Sequence, residues 1–275
     1  MEEKKEIAKT KETKPANTKR NYAKREKEEY NAGIEFFQRF AISFIVIPLI
    51  RLFYEVEIDG ITNIPEDESF ILAPTHTNYL DPLLAYYATR RPAAFMAKKE
   101  LFEIPWLCPI IVALGAFAVN REKLEIATIK TAQMIIQTKK WILSLFPQGS
   151  RDEAKKITKI TPGFAYFARV AQWKVLPVSI VVRENQRKET GLISRLETLF
   201  DDTPLFTKLF SSYSTYEIKI GKPIDYSKNL GETMNRWCDA ICEISPYTVE
   251  EKVREKIKLE IAKENKTNEG ANSKG

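Results

Sequence analysis

SFILAPTHTNYLDPLLAYYATR, Ser69 to Arg90, decides the architecture. SFILAP is an apolar, β-prone run and reads as a buried strand. The polar loop after it carries His76, the only histidine in the chain. Asp81-Pro82 then opens a helical stretch, with Asp as N-cap and Pro at the first helical position. Strand, polar loop and helix in that order form the building unit of an α/β fold.

The same rhythm extends outward. β-rich runs recur at AAFMAK, AFAVN, WILSLF, VLPVSIVV and YEIKIG, with helical stretches such as KLEIATIKTAQMIIQTKK and GFAYFARVAQ between them. The alternation predicts an α/β fold: a mixed, largely parallel β-sheet flanked by helices. In such folds chemistry gathers in loops beyond the carboxyl ends of strands. Residues 183–215 break the rhythm and read as an excursion from the sheet.

Composition bounds the rest. A chain of 275 residues, 44% apolar, has ample material for a core. The net charge of +6 comes from 43 bases interleaved with 37 acids, which suits anionic lipid or phosphate and equally suits ordinary solubility. Cys108, Cys238 and Cys242 form neither a disulfide framework nor a zinc set, so they read as thiols in a reducing compartment.

Four segments follow. Residues 1–30 are a charged tail with too little apolar surface to fold and no signal-peptide pattern. Residues 31–56 are a membrane-associating helical segment, residues 57–247 the α/β domain, and residues 248–275 a C-terminal helix and tail. Within the second segment, the apolar run Phe40 to Ile50 is shorter than the roughly 20 residues of a spanning helix. Arg39 and Arg51 close it off, and Pro48 predicts a kink. It dips into one leaflet, packs on the protein's own core or, least favoured by its length, spans the bilayer; the pattern leaves all three open.

His76 sits at the start of its loop and Asp81 five residues on. As a helix cap, Asp81 needs no further explanation. A carboxylate there also suits an imidazole nitrogen, fixing its tautomer and leaving the other nitrogen to take a proton from a hydroxyl. The spacing alone is a weak signal. Two neighbouring loops add to it: GAFAVNR carries Gly115 and Arg121, and FPQGSRD carries Gln148, Gly149, Ser150 and Arg151. Lys98 follows the strand FMA. Guanidinium forks match phosphate oxygens in a way lysine does not, and glycine lets backbone approach a ligand closely. There is neither a Gly-x-Ser-x-Gly turn for a serine nucleophile nor a ligand set for zinc.

THTNYLD, AKKELFEIPW, GAFAVNR, FPQGSRD and VLPV, in that order, resemble the PlsC-type glycerolipid acyltransferases, over Asp59 to Pro223. The resemblance implies His76 as the base that activates a glycerol hydroxyl and Asp81 as its orienting partner. It implies that Arg121 and Arg151 hold the phosphate of lysophosphatidic acid, assisted by Lys98, with Gly115, Gln148, Gly149 and Ser150 in the substrate-binding motifs. The hydroxyl would attack the thioester of acyl-CoA or acyl carrier protein directly, with no covalent acyl-enzyme, cofactor or metal, giving phosphatidic acid. It further implies work at the cytoplasmic face of a membrane. Glutamates scattered through the basic tail argue against a nucleic-acid partner. Another lysolipid acceptor, or a non-catalytic lipid-binding protein on this scaffold, are the alternatives. Three positions depart from the family pattern: Thr75 replaces an asparagine, Ala118 a bulky residue or proline, and Gln148 a glutamate.

Overall fold

The computed structural model describes residues 21–78, 80–120, 125–151, 155–184 and 214–272. Its elements in chain order begin with α1 (Ala32–Phe40), a π-helical turn (Ala41–Val46) and α2 (Ile47–Phe53), followed by β1 (Tyr54–Asp59). Then come β2 (Ile71–Pro74), α3 (Asp81–Thr89), β3 (Ala93–Lys98), α4 (Leu107–Ala113) and β4 (Ala116–Val119). α5 (Ile126–Gln137), β5 (Ile142–Ser144), β6 (Lys156–Ile157), α6 (Gly163–Ala171) and β7 (Val175–Glu184) continue the chain. β8 (Ser214–Ile220), α7 (Leu230–Ile244), β9 (Thr248–Val249) and α8 (Glu251–Asn272) complete it.

Seven strands form one sheet in the order β1-β8-β7-β2-β5-β3-β4. β7, β2, β5, β3 and β4 run parallel; β8 runs against β7, and β1 runs with β8. This is the mixed, largely parallel sheet expected from the alternation. The excursion at 183–215 lies almost wholly outside the described residues.

Both faces of the sheet are covered, which is why its central strands read as continuous apolar runs. Along β2, Ile71 and Ala73 face a cluster with Ile135 of α5, Phe164 of α6, Trp237 of α7 and Ile257 of α8. Phe70 and Leu72 face the other way, onto Leu84 of α3, Ile42 and Ile50. Trp237 also donates its indole N–H to the carbonyl of Ala73 at 2.9 Å, so its one polar atom is satisfied within the core.

The helical run Ala32 to Phe53 crosses this second face. It starts at the β4 edge, where buried Gln38 donates to the carbonyls of Ala93 and Leu114, both at 2.8 Å, and it ends where β1 begins on the opposite edge. At 1.5 Å per residue it spans about 33 Å, close to the width of the sheet it crosses. The π-turn absorbs Pro48: the N–H of Ile47 reaches back to the carbonyl of Ile42, and the proline falls in the first turn of α2, where its missing N–H costs little.

The described part of the predicted charged tail is docked on the fold. Residues 21–30 pack along β4: the N–H of Ala118 donates to the carbonyl of Tyr22 at 2.9 Å, and Ala23, Arg25 and Tyr30 are buried. Arg25 donates through Nη1 to the carbonyl of Ala116 at 2.5 Å and through Nε to Glu29 at 2.8 Å. Composition misled here because a few residues, Tyr22, Ala23 and Tyr30, carry the docking of an otherwise charged stretch. The C-terminal expectation also changes, since α8 extends as helix through Asn272.

Candidate active site

β2 and β5 are neighbours, so the loops leaving their carboxyl ends meet. The loop after β2 carries His76; the loop after β5 carries Phe146 to Arg151. Four contacts fix the histidine. Its Nδ1 lies 2.9 Å from Asp81 Oδ2. Its main-chain N–H donates to Gln148 Oε1 at 2.6 Å. Its ring stacks on Phe146, with centroids 4.1 Å apart. The preceding residue, Thr75, joins its chain to β7. Nε2 meets no hydrogen-bond partner among the described residues, and the side chain keeps 12% of its surface exposed.

Asp81 is fully buried, but it is not the N-cap the sequence predicts. The helix α3 begins at Asp81 itself, with Leu80 at the cap position and no side-chain cap bond. The carboxylate turns back into the loop instead. Oδ2 accepts the N–H groups of Thr77 at 2.6 Å and Asn78 at 2.7 Å, as well as facing the imidazole. Three contacts on one oxygen hold it in place. Asp81 Oδ1 and Thr77 Oγ1 are buried without a hydrogen-bond partner among the described residues. Buried polar atoms of this kind are uncommon and concentrate where chemistry is done.

The glutamine loop is shaped by a turn. Gly149 donates its N–H to the carbonyl of Phe146 at 3.0 Å and holds φ at +69°, and an added Cβ would meet Thr161 at 3.0 Å. The positive φ favours glycine here, and the threonine methyl leaves little room for a side chain. Gln148 is fully buried, so its carbonyl acts on the backbone of the histidine loop. Ser150 is half-buried and Arg151 exposed at the rim beyond it. Lys98, the last residue of β3, is exposed at the same edge of the sheet, with Nζ 3.3 Å from Glu100. Arg121 lies outside the described residues.

Gly115 does not join this group. It precedes β4, at the opposite end of that strand, with φ at +83° and with Ala93 and Trp141 against the place of a Cβ. Its job is the turn from α4 into the sheet. Thr75 likewise points away from a ligand role: its hydroxyl accepts the N–H of Ile180 at 2.8 Å, buried between β2 and β7.

Phe146, Asn78 and Tyr216 belong to the site and were missed in the sequence. Asn78 Nδ2 donates to Tyr216 Oη at 3.1 Å. Burial, with the nearby Tyr54 and Asp81 adding to it, pushes the Tyr216 phenol well above its ordinary range, so it stays neutral. No local pattern marks these residues; only the neighbourhood of β2, β5 and β8 does. A separate cavity of about 470 Å³ opens between residues 24–28 and α5, away from the His76 loop. Among the described residues, no cluster of three or more His, Cys, Asp or Glu side chains is placed to hold a metal ion.

The geometry defines a histidine–carboxylate site at the carboxyl edge of an α/β sheet, and sequence comparison gives its class. Residues 55–181 match the family described as Acyltransferase. Over 131 residues the chain is 32% identical to the 1-acyl-sn-glycerol-3-phosphate acyltransferase of Streptococcus pneumoniae, covering 47% of each chain. Over 90 residues it is 33% identical to the Bacillus subtilis protein of the same name, covering 32% of this chain and 45% of that one. The matched region thus spans about half the length of the curated relatives it matches. Among solved structures, the crystal structure of the 1-acyl-sn-glycerophosphate (LPA) acyltransferase PlsC from Thermotoga maritima aligns with 74% of this chain and 76% of its own, at 22% identity and a TM-score of 0.46.

Proposed function

We propose that the protein transfers a fatty acyl group from acyl-CoA or acyl carrier protein to the free hydroxyl of 1-acylglycerol 3-phosphate, giving phosphatidic acid. The observation that carries this reading is the His76–Asp81 pair. One imidazole nitrogen is held at 2.9 Å by a carboxylate oxygen that two backbone amides already fix, while Nε2 has no partner among the described residues.

Nε2 takes the proton of the acceptor hydroxyl as its oxygen attacks the thioester carbonyl. The imidazolium that forms is stabilised by Asp81. The tetrahedral intermediate collapses, the carbon–sulfur bond breaks, and the thiolate leaves with the proton that His76 returns. The acyl group passes straight to the acceptor. Arg121 and Arg151, with Lys98 assisting, grip the phosphate; Gln148 and Gly149 shape the loop that Ser150 and Arg151 extend towards it. Orientation supplies much of the rate, since a held hydroxyl and base react as one molecule.

The same reading places the protein at the cytoplasmic face of a membrane. Phe36, Phe37, Phe40, Phe44, Ile45 and Leu49 are all exposed on the outer side of the α1–α2 run, an apolar face fitted to lipid.

The test is one assay with the purified protein and its His76→Ala variant, offered labelled acyl donors and either lysophosphatidic acid or a lysophospholipid with a blocked phosphate. Transfer to lysophosphatidic acid that falls at least about a hundredfold in the variant is the expected result. Equal activity in the two proteins would sink the mechanism. Preference for the blocked phosphate would reassign the acceptor, and activity in neither protein would favour a lipid-binding role.

A further inference from the structure

We infer that Tyr216 is a positioning residue for acyl transfer, holding the His76 loop through Asn78; the inference rests on the acyltransferase reading above. Topology brings the tyrosine to the site. β8 runs against β7, so its first residues lie at the edge where the parallel strands end, and Tyr216 pairs with Val182 near the end of β7. Its ring is buried on the α3 side of the sheet, the side on which the His76 loop turns into α3.

Asn78 is the link. Its side-chain amide donates to Tyr216 Oη at 3.1 Å, and its side-chain carbonyl accepts the N–H of Leu80 at 3.4 Å. Its main-chain N–H donates to Asp81 Oδ2 at 2.7 Å, the oxygen that faces His76 Nδ1. Its main-chain carbonyl accepts the N–H of Asp81 at 3.3 Å. One residue therefore bonds the catalytic carboxylate with its backbone and the tyrosine with its side chain. Releasing the amide from Tyr216 frees Asn78 to turn, and with it one of three donors leaves Asp81 Oδ2. The oxygen then loses its fixed place, and so does the imidazole.

The tyrosine is itself well anchored. It packs edge-on against Tyr54, with ring centroids 5.1 Å apart, and Tyr54 is the first residue after α2. The phenol that holds the catalytic loop thus leans on the end of the apolar helix. A Tyr216→Phe substitution removes only the hydroxyl and leaves that packing in place.

The decisive measurement uses the full-length protein and the fact that His76 is its only histidine, so selective histidine labelling gives one set of imidazole NMR signals. In Tyr216→Phe and in Asn78→Ala, the inference expects the His76 ring signals to shift and its Nδ1 proton to exchange faster. It expects kcat to fall about tenfold or more with KM for lysophosphatidic acid little changed. The double variant should be no worse than the poorer single variant, because both cut the same link. Melting temperatures serve as the control and should stay close to wild type for Tyr216→Phe. Unchanged imidazole signals in Tyr216→Phe would overturn the inference whether or not the protein proves to be an acyltransferase. So would additive losses in the double variant, or a loss that follows the melting temperature alone. Absence of transfer in the wild type would fail the proposed function instead, leaving the NMR result to decide the role of Tyr216 in the loop.

Discussion

Gln148 Oε1 accepts the main-chain N–H of His76 at 2.6 Å, from a fully buried position on the neighbouring loop. The contact explains why a glutamine serves where the family pattern has a glutamate: the histidine backbone needs an acceptor oxygen there, and both side chains supply one. Gln148→Glu should therefore keep kcat/KM within about threefold of wild type, whereas Gln148→Leu leaves a buried N–H unpaired. That should cost about 1–3 kcal/mol of stability and at least about tenfold in kcat. Steady-state kinetics and denaturant titrations of the two variants check both halves.

Thr75 invites the opposite expectation. The sequence marks it as a departure directly before His76, yet its hydroxyl accepts from Ile180 N–H at 2.8 Å and holds β2 to β7. Thr75→Val should lower stability by about 1–3 kcal/mol by stranding that buried N–H. The kcat for the proposed acyl transfer should change by less than about threefold. A large loss of kcat at unchanged stability would contradict this division of labour.

These two residues mark how far the sequence could be read. The strand–loop–helix order around Ser69 to Arg90, the run of alternating elements and the pairing of His76 with Asp81 were all legible, because each is written in a local pattern. Direction was not: Asp81 looked like a cap for the helix after it and instead serves the loop before it. Gly115 shared a motif with Arg121 but stands at the amino end of β4, away from the His76 loop, since a motif records spacing and not which edge of a sheet each residue reaches. Phe146 and Tyr216 become visible only once β5 and β8 are placed beside the loop, and strand order is a property of the whole chain.

Arg25 extends the same point to stability. Its guanidinium is buried under β4, on the carbonyl of Ala116 and the carboxylate of Glu29, within a segment whose composition reads as solvated. Arg25→Ala should destabilise the protein by about 2 kcal/mol by stranding the Ala116 carbonyl and freeing Glu29. Removal of residues 1–30 goes further: it uncovers the edge of β4, which should aggregate. Thermal melts and light scattering at increasing concentration measure the two effects.

Alkaline pH offers a further check, with the sign set by Cys238. Burial raises its thiol from 9.0 to about 12 in the folded protein. Above about pH 9 the unfolded chain releases this proton first, so stability is full below that pH and falls as pH rises towards 12. Cys238→Ala should flatten this part of the curve, as read from denaturant midpoints at pH 8, 9 and 10. For the same reason the native thiol should resist alkylation near neutral pH and react only on unfolding.

Membrane attachment needs a test that spares the core. Ala32–Arg51 is long and apolar enough to cross a membrane by length and composition, yet Gln38, Ile42 and Ile50 are buried against the α/β domain. Deleting the segment would strip one face of the sheet, so a loss of binding would say nothing about lipid. The exposed face can be changed alone. Phe36, Phe40 and Phe44 stack in a row one turn apart, with centroid spacings of 6.3 and 5.1 Å, and Phe36 and Phe44 are each 70% exposed. Replacing all three by serine should leave the melting temperature close to wild type and lower binding to anionic vesicles by at least about tenfold. Transfer to lysophosphatidic acid in detergent micelles should persist in the triple variant, because these rings are exposed and make none of the contacts that hold His76, Asp81 or Gln148. Undiminished vesicle binding in sedimentation assays would show that the aromatic row is not the surface that meets the bilayer.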